Sequence, residues 1–135
     1  MANYEPRGRS SYFKVKDPGA FAALCGKYEW EPIHNSTDPT LVGFLCEGEE
    51  AFPNSRFNEA TGEYDEVDGL EELAALLAEG WAAECREIGY EKMRYLTGWT
   101  TIITWDGRRH TLSLDDAAAA AQAALGPLQL TSPDY

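Results

Sequence analysis

The stretch Trp99-Thr100-Thr101-Ile102-Ile103-Thr104-Trp105-Asp106-Gly107-Arg108-Arg109-His110-Thr111-Leu112-Ser113-Leu114 decides the fold class. Aromatic and β-branched side chains fill its first seven positions, a composition that suits a pleated strand. Asp106-Gly107 is a hairpin turn signal, because glycine accepts the positive φ a tight turn requires. Arg109 to Leu114 then returns as the partner strand. A tight link of this kind makes the pair antiparallel; a parallel pair needs a long crossover. Trp99, Ile103 and Trp105 share parity, and Ile102 points the other way, so both faces of this strand carry apolar weight.

Working outward, the next segment reads as a helix. Ser113 and Asp116 fit a capping box. The alanines from Ala117 to Ala121, with Ala123 and Ala124, have the highest intrinsic helix propensity. Their small side chains permit close approach to a sheet. Gly126-Pro127 stops the helix, and Leu128 to Tyr135 is a tail tied down at Leu128 and Leu130. Before the hairpin, Asp68 and Glu71 form a second capping box, and Leu70, Leu73, Ala74 and Leu77 make the apolar stripe of a helix ending at Gly80. Trp81 to Ile88 reads as a strand. Tyr90 to Leu96 is a helical turn or a wide connection, with Tyr95 and Leu96 anchored in the core.

The first third reads as strand, helix, strand, strand. Ser10 to Lys16 alternates around Tyr12, Phe13 and Val15. Asp17-Pro18 is an N-cap followed by proline at the first helical position, and Phe21, Leu24 and Cys25 form one helical stripe that Gly26 terminates. Trp30 to His34 is a short strand that Pro32 confines to a sheet edge. Turn residues Asn35 to Thr40 join it to the apolar run Leu41 to Cys46, so these two strands form a hairpin. The order β-α-β-β, acidic connection, α-β-β-β-α predicts an α+β domain: an antiparallel sheet with about three helices packed on it. Residues 1–9 are expected to form a flexible basic arm, 10–127 a single domain, and 128–135 a C-terminal tail.

Composition sets the function classes. In 135 residues, 23 Asp and Glu oppose 11 Lys and Arg, for a net charge of −12. A field of that sign repels phosphate and argues against nucleic acid as a direct ligand. No apolar run approaches a bilayer span, and no apolar stretch follows Met1 to Arg9, so the expected setting is the cytoplasm, without membrane or secretory signal. Cys25, Cys46 and Cys85 lie far apart in apolar or small surroundings, a spacing that suits buried thiols in a reducing compartment rather than a zinc ribbon or disulfide framework. His34 and His110 lie in no motif that pairs them with a cysteine, and the expectation for both is a structural or surface histidine. There is no glycine-rich phosphate loop, serine elbow or HExxH. No catalytic residue, metal ligand or cofactor is expected.

The charge concentrates in one place. Between Glu47 and Glu72 the acids are Glu47, Glu49, Glu50, Glu59, Glu63, Asp65, Glu66, Asp68, Glu71 and Glu72, opposed only by Arg56, a net of −9 over 26 residues. Residues 47–67 read as a long irregular acidic connection with a short strand near Tyr64, and a loop this long is usually functional or mobile. Two readings compete. The acids form a solvated face, with Asp68, Glu71 and Glu72 favoured by the helix dipole. Alternatively, they imitate the phosphates of nucleic acid and enter a basic groove on a partner. A calcium loop fails on register, because Asp65-Glu66-Val67-Asp68-Gly69 does not match the EF-hand pattern. Phe52, Phe57 and Tyr64 sit among the acids, as interface anchors or as pins that hold the segment to its own core.

Two further segments carry a resemblance. Ser11-Tyr12-Phe13-Lys14-Val15-Lys16-Asp17-Pro18-Gly19-Ala20-Phe21 resembles the opening of small acidic accessory proteins encoded on phages and plasmids. Glu91-Lys92-Met93-Arg94-Tyr95-Leu96-Thr97-Gly98-Trp99 resembles their second half. The two cover under a fifth of the chain directly. The resemblance implies a non-enzymatic inhibitor of the anti-CRISPR or anti-restriction kind, some of which resemble DNA in charge. The partner would then be the basic groove of a host nucleic-acid-binding protein. The alternative is a homo-oligomeric accessory module without mimicry, joined through the Trp99–Trp105 sheet or the alanine helix. A homodimer also suits the uneven charge, since the bases gather at Arg7, Arg9, Lys14, Lys16 and Lys27 and again from Arg86 to Arg109.

Overall fold

A computed structural model describes residues 5–47, 52, 55–91, 95–127, 129 and 131. In chain order the elements are β1 (Glu5–Ser10), α1 (Pro18–Tyr28), β2 (Glu31–His34), β3 (Val42–Glu47), β4 (Ser55–Asn58), β5 (Glu63–Glu66), α2 (Gly69–Leu76), β6 (Ala82–Glu91), β7 (Tyr95–Thr104), β8 (Arg109–Ser113) and α3 (Leu114–Leu125). Six strands form one sheet in the order β2-β3-β1-β6-β7-β8, and β4 pairs with β5 in a separate ribbon. Every pairing is antiparallel. The fold is α+β, as the hairpin links require. No described helix is long and apolar enough to cross a membrane.

Residues 5–9 of the expected basic arm instead lie at the centre of the sheet, and residues 1–4 lie outside the described residues. β1 lies between β3 and β6, with Gly8 opposite both Cys46 and Glu87. An arm reading followed from its polar composition, but a strand bonded on both sides satisfies its backbone through the ladder whatever its side chains are. The chain leaves the sheet after Ser10, so Ser10 to Lys16 is not a sheet strand. Phe13 makes a single bridge to Val42, and Val15 one to Leu77. Ser10 seals this departure: its hydroxyl accepts the Phe44 N–H at 2.9 Å and donates to the Ser11 carbonyl at 2.8 Å.

α1 and α2 cover one face of the sheet. Asp17 caps α1, accepting from the Gly19 and Ala20 N–H groups. α1 continues past Gly26 to Tyr28. Glu29 then adopts φ 59, and the Trp30 N–H donates to the Cys25 carbonyl at 2.8 Å, a Schellman closure. α2 ends at Leu76, before Gly80. There the Leu76 carbonyl accepts from Lys16 N–H, and the Ala78 N–H turns to Lys14. The core is aromatic. Phe44 stacks on Trp30 with centroids 4.2 Å apart, and Phe13 meets Phe21 and Phe44 edge-on. Leu73, Leu77, Ala83, Cys85 and Ile103 close it.

The hairpin of β7 and β8 turns at Gly107, with φ 87, as expected. Two expectations nearby fail. β6 and β7 run to Glu91 and from Tyr95, so the Tyr90–Leu96 stretch is mostly strand, with residues 92–94 outside the described residues. Leu96 is exposed, not in the core. α3 forms with its capping box and touches β7 and β8, with Leu114 against Gly98, but none of its residues is buried, so it covers little of the sheet. Alanine carries too little apolar surface to hold a helix down on a sheet by itself. The anchor residues Leu128 and Leu130 of the tail lie outside the described residues.

Two outcomes follow. Deleting residues 1–9, harmless for an arm, removes the strand joining β3 to β6. The truncated chain is expected to lose cooperative urea unfolding by circular dichroism, and an unchanged midpoint would refute the central placement of β1. Glu29→Gly relieves a left-handed side chain and a carboxylate at a helix C-terminus. It is expected to raise stability by about 0.5–1 kcal/mol in the same measurement.

Candidate functional site

Within the acidic connection, residues 55–66 form a β-ribbon: β5 is the short strand expected near Tyr64, β4 is its unexpected partner, and residues 48–51, 53 and 54 lie outside the described residues. In the turn, the Asn58 side chain accepts from the Ala60 N–H, and the Gly62 N–H donates to the Asn58 carbonyl at 2.8 Å. Gly62 adopts φ 72, which a side chain would oppose. Across the ribbon, the Asn58 amide donates to Asp65 at 3.0 Å. The turn chemistry lay in the sequence, at Asn58 and Gly62, hidden by the density of acids around it.

Register sorts the ribbon's side chains. Ser55, Phe57, Tyr64 and Glu66 occupy one face, and Asn58, Glu63 and Asp65 the other. Phe57 and Tyr64 stand directly opposite, with ring centroids 5.3 Å apart. They are 51% and 73% exposed. Glu66 on their face, Glu63 and Asp65 on the other, and Glu59 in the turn are all exposed. Among the described residues, no cation forms an ion pair with any of these four. An open cleft of about 550 Å³ lies between the ribbon and α1, lined by Lys27, Phe57, Asn58, Glu59 and Asp65 among others.

The remaining expected residues have other tasks. Phe52 meets Trp30 and Phe44 edge-on, each at 6.2 Å, and so packs on the core rather than serving as an exposed anchor. Glu72 accepts from Lys27 Nζ at 2.6 Å and from the Tyr28 hydroxyl, tying α2 to α1. Asp68 caps α2 through the Glu71 N–H at 3.1 Å and takes both its oxygens to Arg109, at 2.9 and 3.0 Å. That pair ties α2 to β8. Glu71 stays exposed beside the ribbon. Glu47 ends β3 opposite Arg7, and Glu49 and Glu50 lie outside the described residues. The acidic run thus divides into an outward group at 59–66 and a structural pair, Asp68 and Glu72.

A second cleft, about 470 Å³, opens between α2 and the β7–β8 turn. Its cations are already engaged: Arg109 with Asp68, and Arg108 with Asp106 at 3.0 Å. Arg108 also lies over the Trp105 ring. The three thiols are buried. Burial pushes Cys25 up to about 11 and, with lesser carboxylate and thiol neighbours, Cys46 and Cys85 up to about 12, which suppresses the reactive thiolate. Cys46 and Cys85 flank β1 on opposite sides, opposite Gly8 and Ser10, so they are separated by more than two strand spacings of ~4.8 Å, beyond disulfide reach. His34 and His110 are exposed. Among the described residues, no three His, Cys, Asp or Glu side chains gather as a metal site.

No family model, curated protein or solved structure matches the chain.

The structural pair makes the chain acid-sensitive. Burial raises both carboxyls, but hydrogen bonds from Arg109 and from Lys27 with Tyr28 outweigh it, and the net shift is downward for Asp68 and Glu72. A depressed carboxyl stabilises the fold above its ordinary value, and that stability is lost as pH falls through the folded-state value. Stability is expected to decline below the ordinary carboxyl values of 3.8 and 4.5. Asp68→Asn with Glu72→Gln should flatten this acid limb in urea titrations at several pH values, costing about 0–1 kcal/mol per pair at neutral pH because both are partly exposed.

Proposed function

We propose that this protein acts by binding, without catalysis, as an inhibitor of a bacterial defence or other nucleic-acid-handling protein of the anti-CRISPR or anti-restriction kind. Its acidic ribbon enters the partner's basic groove in place of nucleic acid. The observation that carries this reading is the β4–β5 ribbon: two exposed aromatics in tilted contact with exposed Glu66 on their face, and exposed Glu63 and Asp65 on the other. Aromatic anchors inside a polar rim are the usual composition of an energetic centre in an interface. Successive same-face carboxylates such as Glu63 and Asp65 repeat at about 6.8 Å along a strand, twice the ~3.4 Å rise per phosphate of one DNA strand. Carboxylates that pair with no cation among the described residues are placed to meet Lys and Arg of a partner, and they speed encounter with a basic groove.

The test is capture from a bacterial lysate on the immobilised protein, at low and high salt, with identification of the bound proteins. A DNA-handling protein held at low salt and released at high salt is expected. Glu63→Gln, Asp65→Asn and Glu66→Gln together should weaken that complex at least ~10-fold, or about 1.4 kcal/mol. Phe57→Ala with Tyr64→Ala should weaken it similarly, but with less change in salt dependence. Binding that survives neutralisation of the three acids would overturn the reading.

A further inference from the structure

The sheet has a second face, which α1 and α2 do not cover. On it β6, β7 and β8 present Ile88, Tyr90, Leu96, Ile102 and Leu112, joined by Leu114 at the start of α3. Each is more than a third exposed, Ile88 reaching 63% and Leu96 54%. Register makes them one surface: Tyr90 stands opposite Leu96, Ile88 opposite Gly98, Thr100 opposite Leu112, and Ile102 beside them opposite His110. Leu114 lies over Gly98, where an added Cβ would meet it at 3.4 Å. A contiguous exposed apolar patch of this kind marks an interaction site.

Beside the patch stands α3, twelve residues with none buried. A helix of that length is marginal in water even when rich in alanine. Leu114, Ala117, Ala118, Ala121 and Leu125 fall on one stripe, and Asp115 and Asp116 lie off it. The patch and the helix therefore lack cover in the same molecule and at the same edge.

We propose that the occupant is a second copy of this chain, in a two-fold dimer where α3 of each protomer lies across the other's exposed sheet face. Dimensions fit. α3 is about 18 Å long, and the patch runs ~20 Å along β7 and ~15 Å across three strands. A helix and a patch from each protomer approach the ~800 Å² per partner of a standard interface. Charge fits as well. The patch is bordered on β1 and β6 by Arg7, Arg9 and Arg86, with Glu84 beside Arg86 at 2.5 Å as the carboxylate on that border among the described side chains. α3 brings Asp115 and Asp116 and no base. An isologous contact then places an acidic helix start from one copy near the arginine border of the other.

Sedimentation equilibrium of the full chain tests this, with circular dichroism to establish that each variant is folded. The wild type is expected to reach twice 15.0 kDa in a concentration-dependent manner. Leu96→Asp with Leu112→Asp on the sheet should weaken the dimer at least tenfold. Ala118→Glu with Ala121→Glu on the helix should do the same. Arg9→Glu with Arg86→Glu should weaken it, and adding Asp115→Lys should restore part of the loss. The ribbon variants at Glu63, Asp65 and Glu66 should leave it intact, so the dimer and the groove-binding reading fail separately. A monomer at every concentration, or a dimer indifferent to both the sheet and helix variants, would overturn the proposal.

Discussion

The main sheet depends on the hydrogen bonding of β1. The β2–β3 hairpin and the β6–β7–β8 meander are each local in sequence, and each would end in an open edge. β1 closes both edges with its two rows of backbone groups, and Gly8 stands in line with Cys46 and Glu87. The core stands on that junction. Phe44 from the first half and Cys85 and Ile103 from the second meet beneath α1 and α2. Ser10, at the end of the strand, uses its hydroxyl to satisfy the Phe44 N–H where the ladder stops. Without β1, each half would expose both an edge and half of an apolar face.

This arrangement also sorts the acids. Asp68 and Glu72 lie on α2 where its N-terminus meets β8 and where its side meets α1, so their charge is taken up by Arg109 and Lys27. Close packing sets that placement: Gly69 sits against the Trp30 ring, where a Cβ would come within 3.1 Å. The residues of the segment before α2, 55–66, are mostly exposed. They pair with each other as the β4–β5 ribbon and project their carboxylates and two aromatics outward. One run of negative charge thus becomes a structural pair at the base and an exposed acidic surface at the tip.

Much of this was legible locally. The Asp17-Pro18 cap, the Ser113–Asp116 capping box, the Gly107 turn and the edge position of the Pro32 strand are contacts over a few residues, and each appeared where its residue types demand. What was illegible depends on distant partners. Residues 5–10 have an unpromising composition, and their strand state is imposed by β3 and β6. Phe52 and Phe57 look alike among the acids, yet one reaches Trp30 and the other faces water. Leu96 and Ile102 look like core because they are apolar, but alternation places them on the uncovered face.

The sequence by itself determined the α+β class, the capped helices, the tight turns and the surplus of negative charge between Glu47 and Glu72. Those follow from propensity, local hydrogen bonding and Coulomb's law, which act over short stretches or do not depend on conformation. Only the tertiary structure decided that the N-terminal segment is the central strand, which carboxylates are paired, which aromatics are exposed, and that α3 and one sheet face share an open edge. Those depend on which distant segments come together, because burial and pairing belong to the assembled sheet rather than to any residue type.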